Sequence, residues 1–411
     1  NQLKCTDTLT AVWITVQCPS RVPVGKYHQT IKIEGSKHFT IQLDYNVHHT
    51  TIPLKSSIPI TVGVENRCMT ECLNDKEADK ERQRWVDFVL SYRMTPVFGT
   101  QITPERWQYE HSFSPWAWND KRSIRLLNDR RYSCYMLPFF TLSENELASL
   151  LCNIQKKGKL KESLFYIWDE PAYMEDYEQI KRKVNIIRKY ASDARILTTF
   201  FCGPRNGPRK GDLYAVFDYL KHHIHVATIS LAPCKGNEEE VQHIRYKVPE
   251  GIDWWSYVCW QPGGNEPNFL LQMKGIQQRA IMWRTWKNGS QGFLYWNCNI
   301  YHKRNPFTYI TDMPHGDGIL IYPGDILGCK GPIASARLER WRDGAEEMEL
   351  LRLVEKNYSK EKADTLLNIV YSSPLSFIEK AHNIPFFRKE LLDQLDKTIP
   401  IDYKLRITDF I

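Results

Sequence analysis

The chain has 411 residues, 42% of them hydrophobic and 25% charged, with a net charge of +7. This balance suits a folded globular protein and excludes extensive disorder. Lys+Arg 55 and Asp+Glu 48 are spread along the chain. A nucleic-acid-binding protein concentrates its cations in a stripe, so no nucleic-acid partner is expected.

No apolar run reaches the roughly 18 residues of a transmembrane segment, and nothing reads as a signal peptide. The chain opens at Asn1, read here as a processed or trimmed N-terminus. Its 11 cysteines are an odd number, so at least one is free or pairs between chains. Cys68 and Cys72 lack a second Cys/His pair nearby, so no metal site is expected. The sequons at Asn288 and Asn357 mark candidate glycosylation sites and a secreted or lysosomal location; the alternative is a cytoplasmic bacterial protein. Trp 13 and Tyr 21 supply many flat amphipathic rings, the side chains that stack on sugars, although large barrels also bury such rings.

Residues 1–56 read as strands. Ala11–Val16, Gly25–Ile33 and His38–Val47 carry β-branched or alternating residues between turn signals, so a small N-terminal β-sandwich is expected over 1–56. From Ile58 the rhythm becomes strand then helix. Strands are expected at Ile58–Val64, Thr95–Gly99, Ser133–Phe140, Leu164–Trp168, Arg195–Phe201, His225–Leu231, Asp253–Trp260 and Gly292–Asn299. Helices alternate with them. In the first, Trp85, Phe88, Val89 and Tyr92 fall at helical spacing; another opens with Ser143 and Glu146, a capping box. A loop after the second strand holds Trp107, Tyr109, His111, Trp116 and Trp118, a composition suited to a substrate-facing rim. Eight strands over about 240 residues are the count of an α/β (β/α)8 TIM barrel, here 57–300. Residues 301–411 break the alternation and read as a mixed, mainly helical C-terminal extension packed on the barrel.

The fourth strand ends in Trp168-Asp169-Glu170-Pro171. An apolar run stopping at two adjacent carboxylates places charge at the carboxyl end of a barrel strand, where such folds keep their chemistry. The bland alternative has Asp169 capping the helix that starts near Tyr173, with Glu170 in water. Most glycosidases set two carboxylates on different strands, across the scissile bond. Neighbours on one strand suit another division: one carboxyl protonates the leaving oxygen, and the other supports a 2-acetamido group of the substrate as it attacks the anomeric carbon. Glu170 is then the acid/base, its proton retained through burial or its neighbour's charge, and Asp169 supports the oxazolinium-like intermediate. The pair titrates together.

The stretch Tyr166-Ile167-Trp168-Asp169-Glu170-Pro171 resembles the catalytic motif of glycoside hydrolase family 123, the β-N-acetylgalactosaminidases. Trp254-Trp255-Ser256-Tyr257-Val258-Cys259 with Pro267-Asn268-Phe269, Gly292–Trp296 through Asn299, and Asp317–Gly324 with Ser335–Glu339 and Arg342–Gly344 extend the similarity in order over about 160–350. Trp260 and Ser256 depart from the pattern. The resemblance implies an exo-acting, retaining enzyme that releases terminal β-linked N-acetylgalactosamine from glycans or glycolipids, with no cofactor. It implies Asp169 and Glu170 as catalytic, and Tyr257 as a hydrogen-bond partner of the acetamido carbonyl. Trp255, Trp168 and Trp296 become walls of the sugar pocket, and Asn268 and Asn299 contacts to sugar hydroxyls. The bland readings are core packing for the aromatics and turn capping for the asparagines. Two other functions compete: a β-N-acetylglucosaminidase of the same mechanism, and a non-catalytic sugar-binding protein on the same barrel.

Overall fold

The computed structural model describes residues 13–19, 22–34, 38–103, 108–301, 303–307 and 313–397. Its first elements, β1 (Gly25–Ile33) and β2 (Phe39–Val47), pair antiparallel as a hairpin. Residues 13–16 are not in a strand, and residues 11 and 12 lie outside the described residues. A sandwich needs two sheets packed face to face. Among the described residues this segment gives one sheet, the largely exposed β1–β2 hairpin, and the second sheet of the expected sandwich is not seen among them.

From Ile60 onward the chain follows the expected alternation. In chain order come β3 (Ile60–Glu65), α1 (Asn66–Thr70), α2 (Asp75–Ser91), β4 (Thr95–Thr103), β5 (Gln108–Ser112), α3 (Lys121–Leu126), β6 (Tyr135–Met136), α4 (Glu144–Lys156), β7 (Ser163–Trp168) and α5 (Met174–Arg188). Then follow β8 (Arg195–Phe200), α6 (Leu213–Leu220), β9 (Val226–Ser230), α7 (Glu238–Lys247), β10 (Asp253–Val258), α8 (Gly275–Lys287) and β11 (Gly292–Tyr295). The nine strands form one sheet in the order β5-β4-β3-β11-β10-β9-β8-β7-β6. Eight are parallel neighbours; β5 is antiparallel to β4.

The sheet curls into a nearly closed barrel, and β5 stands at the seam. Just past β5, the Phe113 N–H donates to the Met136 carbonyl at 2.7 Å, linking the two edges. β5 is a departure from the sequence reading, which made this stretch a loop. Five residues are too few to declare a strand by pattern, but the open edge of β4 offers them unpaired backbone groups.

Strand residues alternate between two apolar layers. Val97, Met136, Leu164, Leu197, Val226, Trp255, Tyr257 and Leu294 fill the barrel interior. Phe165, Ile167, Ile196, Phe200, Ile229, Trp254 and Phe293 face the helices. Burial on both faces is what the unbroken apolar runs encode, and each buried aliphatic or Phe side chain contributes roughly 1.5–3 kcal/mol. Around the barrel, α4 starts with the complete capping box of Ser143 and Glu146.

After β11 the chain forms a small hairpin, β12 (Ile321–Pro323) with β13 (Pro332–Ala334), and then α9 (Ala336–Asn357), α10 (Lys360–Leu367) and α11 (Ile384–Asp396). Leu338, Trp341 and Met348 of α9 are fully buried in the same apolar layer as the barrel helices. Asn357 ends α9 exposed, whereas Asn288 is only 1% exposed at the C-terminus of α8. The sequon at Asn288 therefore does not present an acceptor side chain. The ten described cysteines are all free.

Candidate active site

Two adjacent residues on a flat strand point to opposite faces. Asp169 and Glu170 nevertheless both turn to the barrel mouth. The pairing of β7 with β8 is irregular between Tyr166 and Trp168, and one extra residue in a ladder changes which face the next side chain takes. Trp168 accordingly packs against the outer layer with Ile167. Glu170 then adopts φ +45°, the left-handed region. That conformation costs on the order of 1–3 kcal/mol in a non-glycine residue and persists only where its surroundings impose it.

The surroundings here are specific hydrogen bonds. The Asp169 carboxylate accepts from the Tyr166 hydroxyl at 2.6 Å and from Thr199 Oγ1 at 2.7 Å. Thr199 Oγ1 also accepts the Glu170 N–H at 2.9 Å. The Tyr257 hydroxyl donates to Glu170 Oε1 from β10, on the other side of the barrel. Thus β7 supplies both carboxyls, β8 holds the peptide between them, and β10 aims one of them. Asp169 does not cap α5. The N–H groups of Ala172 and Tyr173 both donate to Asp176 Oδ2 at 2.9 Å instead.

The two carboxyls have different surroundings. Both residues keep exposed surface, as groups at an open mouth must, but protein crowds the Glu170 carboxyl on most sides. Burial, and then the negative charge of Asp169, push Glu170 up to about 7; the Tyr257 hydroxyl and the Arg205 guanidinium act in the opposite direction. Glu170 can therefore carry a proton near neutrality. Tyr166 and Tyr257 are raised well above the usual phenol range, first by burial and then by the carboxylates, so they remain donors.

Beside Asp169 opens a cleft with an empty volume of about 600 Å³, its open mouth included. Its walls include Glu65, Gly99, Tyr109, His111, Tyr166, Asp169 and Trp296, from β3, β4, β5, β7 and the chain after β11. His111 stacks on Tyr166 with centroids 4.3 Å apart and planes 11° apart. Burial pushes its imidazole down to about 3, so the ring is neutral. Trp296 is fixed by its Nε1–H, which donates to Asp317 Oδ1 at 3.0 Å; the Tyr295 hydroxyl donates to the same atom at 3.0 Å. Gly63 lets the chain after β11 approach, since a Cβ there would lie 1.8 Å from the Trp296 carbonyl oxygen.

The sequence-derived site residues divide. Asp169, Glu170 and Trp296 lie at the mouth or cleft, with Tyr257 against Glu170. Tyr257 was expected to face an acetamido carbonyl; its hydroxyl is engaged by Glu170. Trp255 is 1% exposed in the barrel interior, over Gly292, where a Cβ would meet its ring at 2.2 Å. It is a core residue, not a pocket wall, and Trp168 faces the helices. Asn268 and Asn299 are fully buried, and their amides are taken by backbone. Asn268 binds the carbonyls of Cys259 and Pro262 and the Phe269 N–H; Asn299 binds the N–H and carbonyl of Glu65. Both are turn clamps rather than sugar contacts.

Of the rim aromatics, Tyr109 and His111 line the cleft, Trp116 donates to Asp79 at 2.7 Å, Trp118 packs on the core, and Trp107 lies outside the described residues. Thr199, Tyr166 and Asp317 were not read as site residues. Tyr166 carried a signal, three residues before Asp169 in the quoted motif; a threonine in an apolar strand carries none.

The arrangement provides a proton donor and a hydrogen-bonded carboxylate beside a cleft with an aromatic wall. The family described as Glycoside hydrolase 123, catalytic domain, matches residues 80–354. Among solved structures, the chain is similar to a family 123 glycoside hydrolase from Clostridium perfringens, described for its glycolipid glycan hydrolysis. The TM-score is 0.59 at 14% identity, covering 92% of this chain and 76% of that one. A β-D-glucuronidase of Dictyoglomus thermophilum gives a TM-score of 0.39 at 10% identity, covering 77% and 57%. At 14% identity the likeness to the Clostridium perfringens enzyme speaks for the fold alone. No curated protein matches the chain.

Proposed function

The chain belongs to glycoside hydrolase family 123, and from that premise we propose that it releases terminal β-linked N-acetylgalactosamine, acting from the chain end, with the substrate's own acetamido group as nucleophile. The observation that carries this reading is the unequal pair: Glu170 raised to about 7 beside an Asp169 that accepts two hydroxyl hydrogen bonds. Side chains of sequence neighbours are awkwardly placed to flank a scissile bond, as a carboxylate nucleophile and its acid do.

Glu170 gives its proton to the glycosidic oxygen as the C1–O bond breaks. The acetamido carbonyl oxygen forms the new bond to C1, and Asp169 accepts the N–H as positive charge develops. Glu170, now a carboxylate, takes a proton from water while that water opens the oxazolinium ring at C1. Two displacements at one carbon retain its configuration. Tyr257 steadies Glu170 in its charged form. Trp296 and the neutral His111 are placed to line the sugar pocket. The glycolipid glycans acted on by the Clostridium perfringens relative suggest the natural substrate class.

The experiment is a side-by-side assay of chromogenic β-GalNAc and β-GlcNAc glycosides, with a thiazoline mimic of the cyclised intermediate. β-GalNAc turnover inhibited by the thiazoline is expected. Preference for the gluco substrate would reassign the sugar, and indifference to the thiazoline would remove the internal nucleophile.

A further inference from the structure

A second cavity opens at the opposite end of the barrel, with an empty volume of about 1120 Å³, its mouth included. Its floor is the chain just before β3, the start of β10 and the turn just before β11. These are the amino ends of parallel strands. At about 3.3 Å per residue, roughly 20 Å of sheet separates them from the mouth that holds Glu170. The walls are Arg245 of α7, Trp286 of α8, Arg352 and Glu355 of α9, and Lys360 of α10.

The amino ends of barrel strands ordinarily serve stability, yet donors here are unspent. Arg352 Nε and Lys360 Nζ are buried without a hydrogen-bond partner among the described residues. Lys360 Nζ does approach Asp364, at 3.4 Å, and it lies over the Trp286 ring. Among the described residues, the ion pairs of this face join Arg93 to Glu349, Arg195 to Asp253 and Lys360 to Asp364, and leave out Arg352 and Arg245. The exposed Arg245 guanidinium lies over Gly289, where a Cβ would meet Nη1 at 2.6 Å. Burial outweighs the nearby acids and lowers the pKa of both Arg352 and Lys360. Buried donors without acceptors are costly, and folded proteins keep few of them.

We infer that this cavity binds a tetrahedral oxyanion, a phosphate or sulfate group, between Arg352, Lys360 and Arg245. The three cations come from three helices, and the Ser57 side chain lines the same space. A planar carboxylate offers two oxygens to such donors; a tetrahedral group offers three or four in different directions. Arginine suits it further, because a guanidinium fork meets phosphate oxygens in pairs. The two acids of the lining are already engaged. Asp253 pairs with Arg195 and accepts Gln291 Nε2 at 3.1 Å, and Glu355 accepts Trp286 Nε1 at 3.1 Å. The space exceeds a bare ion, so the group enters either free or as the ester of a small organic molecule. The site is independent of the sugar chemistry at the other end of the barrel.

Isothermal titration calorimetry of the full chain in a chloride buffer tests this, with inorganic phosphate, sulfate, glucose 6-phosphate and acetate as probes. Saturable binding of one tetrahedral anion per chain is expected, with acetate about tenfold weaker or worse. Arg352→Gln should weaken binding about tenfold or more. Lys360→Met, which keeps the stem over Trp286, should do the same. Glu355→Gln keeps the acceptor for Trp286 and removes a repelling charge, so it should tighten binding about threefold or more. A merely structural role for these residues would not give that opposite sign. Glucose 6-phosphate binding above inorganic phosphate would identify an ester as the ligand, and equal binding a free anion; both support the site. No binding of any tetrahedral probe, acetate binding as well as phosphate, unchanged binding by Arg352→Gln with its circular dichroism intact, or weaker binding by Glu355→Gln would each overturn it.

Discussion

Tyr257 donates its hydroxyl to the Glu170 carboxylate across the mouth of the barrel, joining residues 87 positions apart. This contact favours the charged form of an acid that burial and Asp169 push the other way. Glu170 is therefore balanced near neutrality by opposing effects, each tied to a named residue.

The two carboxyls should fail differently. Glu170→Gln should lose about 10²–10⁴-fold in turnover on glycosides with poor leaving groups and much less on nitrophenyl glycosides, whose oxygen departs unprotonated. Asp169→Asn should lose activity on both. Steady-state kinetics on the two substrate types checks this; equal losses for both variants would remove the division of roles.

The acid must be protonated, so kcat/KM should fall about tenfold per pH unit above about 7. Tyr257→Phe removes a donor to the charged form, which raises the Glu170 pKa, so the alkaline limb should move to higher pH while the rate falls. The pH–rate profile of the variant gives the sign, and a downward shift would contradict the contact.

The same shift bears on stability. Glu170 titrates higher folded than unfolded, so its proton favours the folded state at acid pH. That contribution fades as pH rises through about 7, where a carboxylate crowded against Asp169 opposes folding. Glu170→Gln should thus raise Tm relative to the unaltered protein at pH 8 and do little at pH 5. Thermal melts at the two pH values measure it.

Thr199 is 1% exposed and serves both carboxyl residues with one hydroxyl. Thr199→Val keeps the shape and removes both bonds. Hydrogen bonds to charged groups contribute about 1.5–3 kcal/mol, so kcat should fall roughly 10–100-fold, with little change in the far-ultraviolet circular dichroism.

Gly63 permits the contact of β3 with the Trp296 carbonyl. Gly63→Ala must displace backbone, at the upper end of overpacking costs, about 3 kcal/mol. Gly263, with open space around it, is the control. Urea denaturation of Gly63→Ala and Gly263→Ala should separate them by that amount.

Much of this was legible in the residues. The run Leu164–Ile167 was readable because a strand covered on both faces is apolar throughout. The short β5 was not, because an edge strand follows from the neighbour that pairs with it. Trp255 and Trp296 are alike in sequence, yet one fills the barrel and the other lines its cleft. The sugar contacts expected of Asn268 and Asn299 gave way to backbone clamps, Asn268 on its own loop and Asn299 on Glu65 at the end of β3.

The sequence by itself determined the alternating strands and helices, the family, and the two carboxylates at the end of β7, because local periodicity and a contiguous motif are properties of neighbours along the chain. Only the tertiary structure decided that both carboxyls face one mouth, that Thr199 and Tyr257 hold them, and that Glu170 titrates near 7. Those depend on a shifted register, a left-handed residue and groups on three strands, which meet only when the sheet curls.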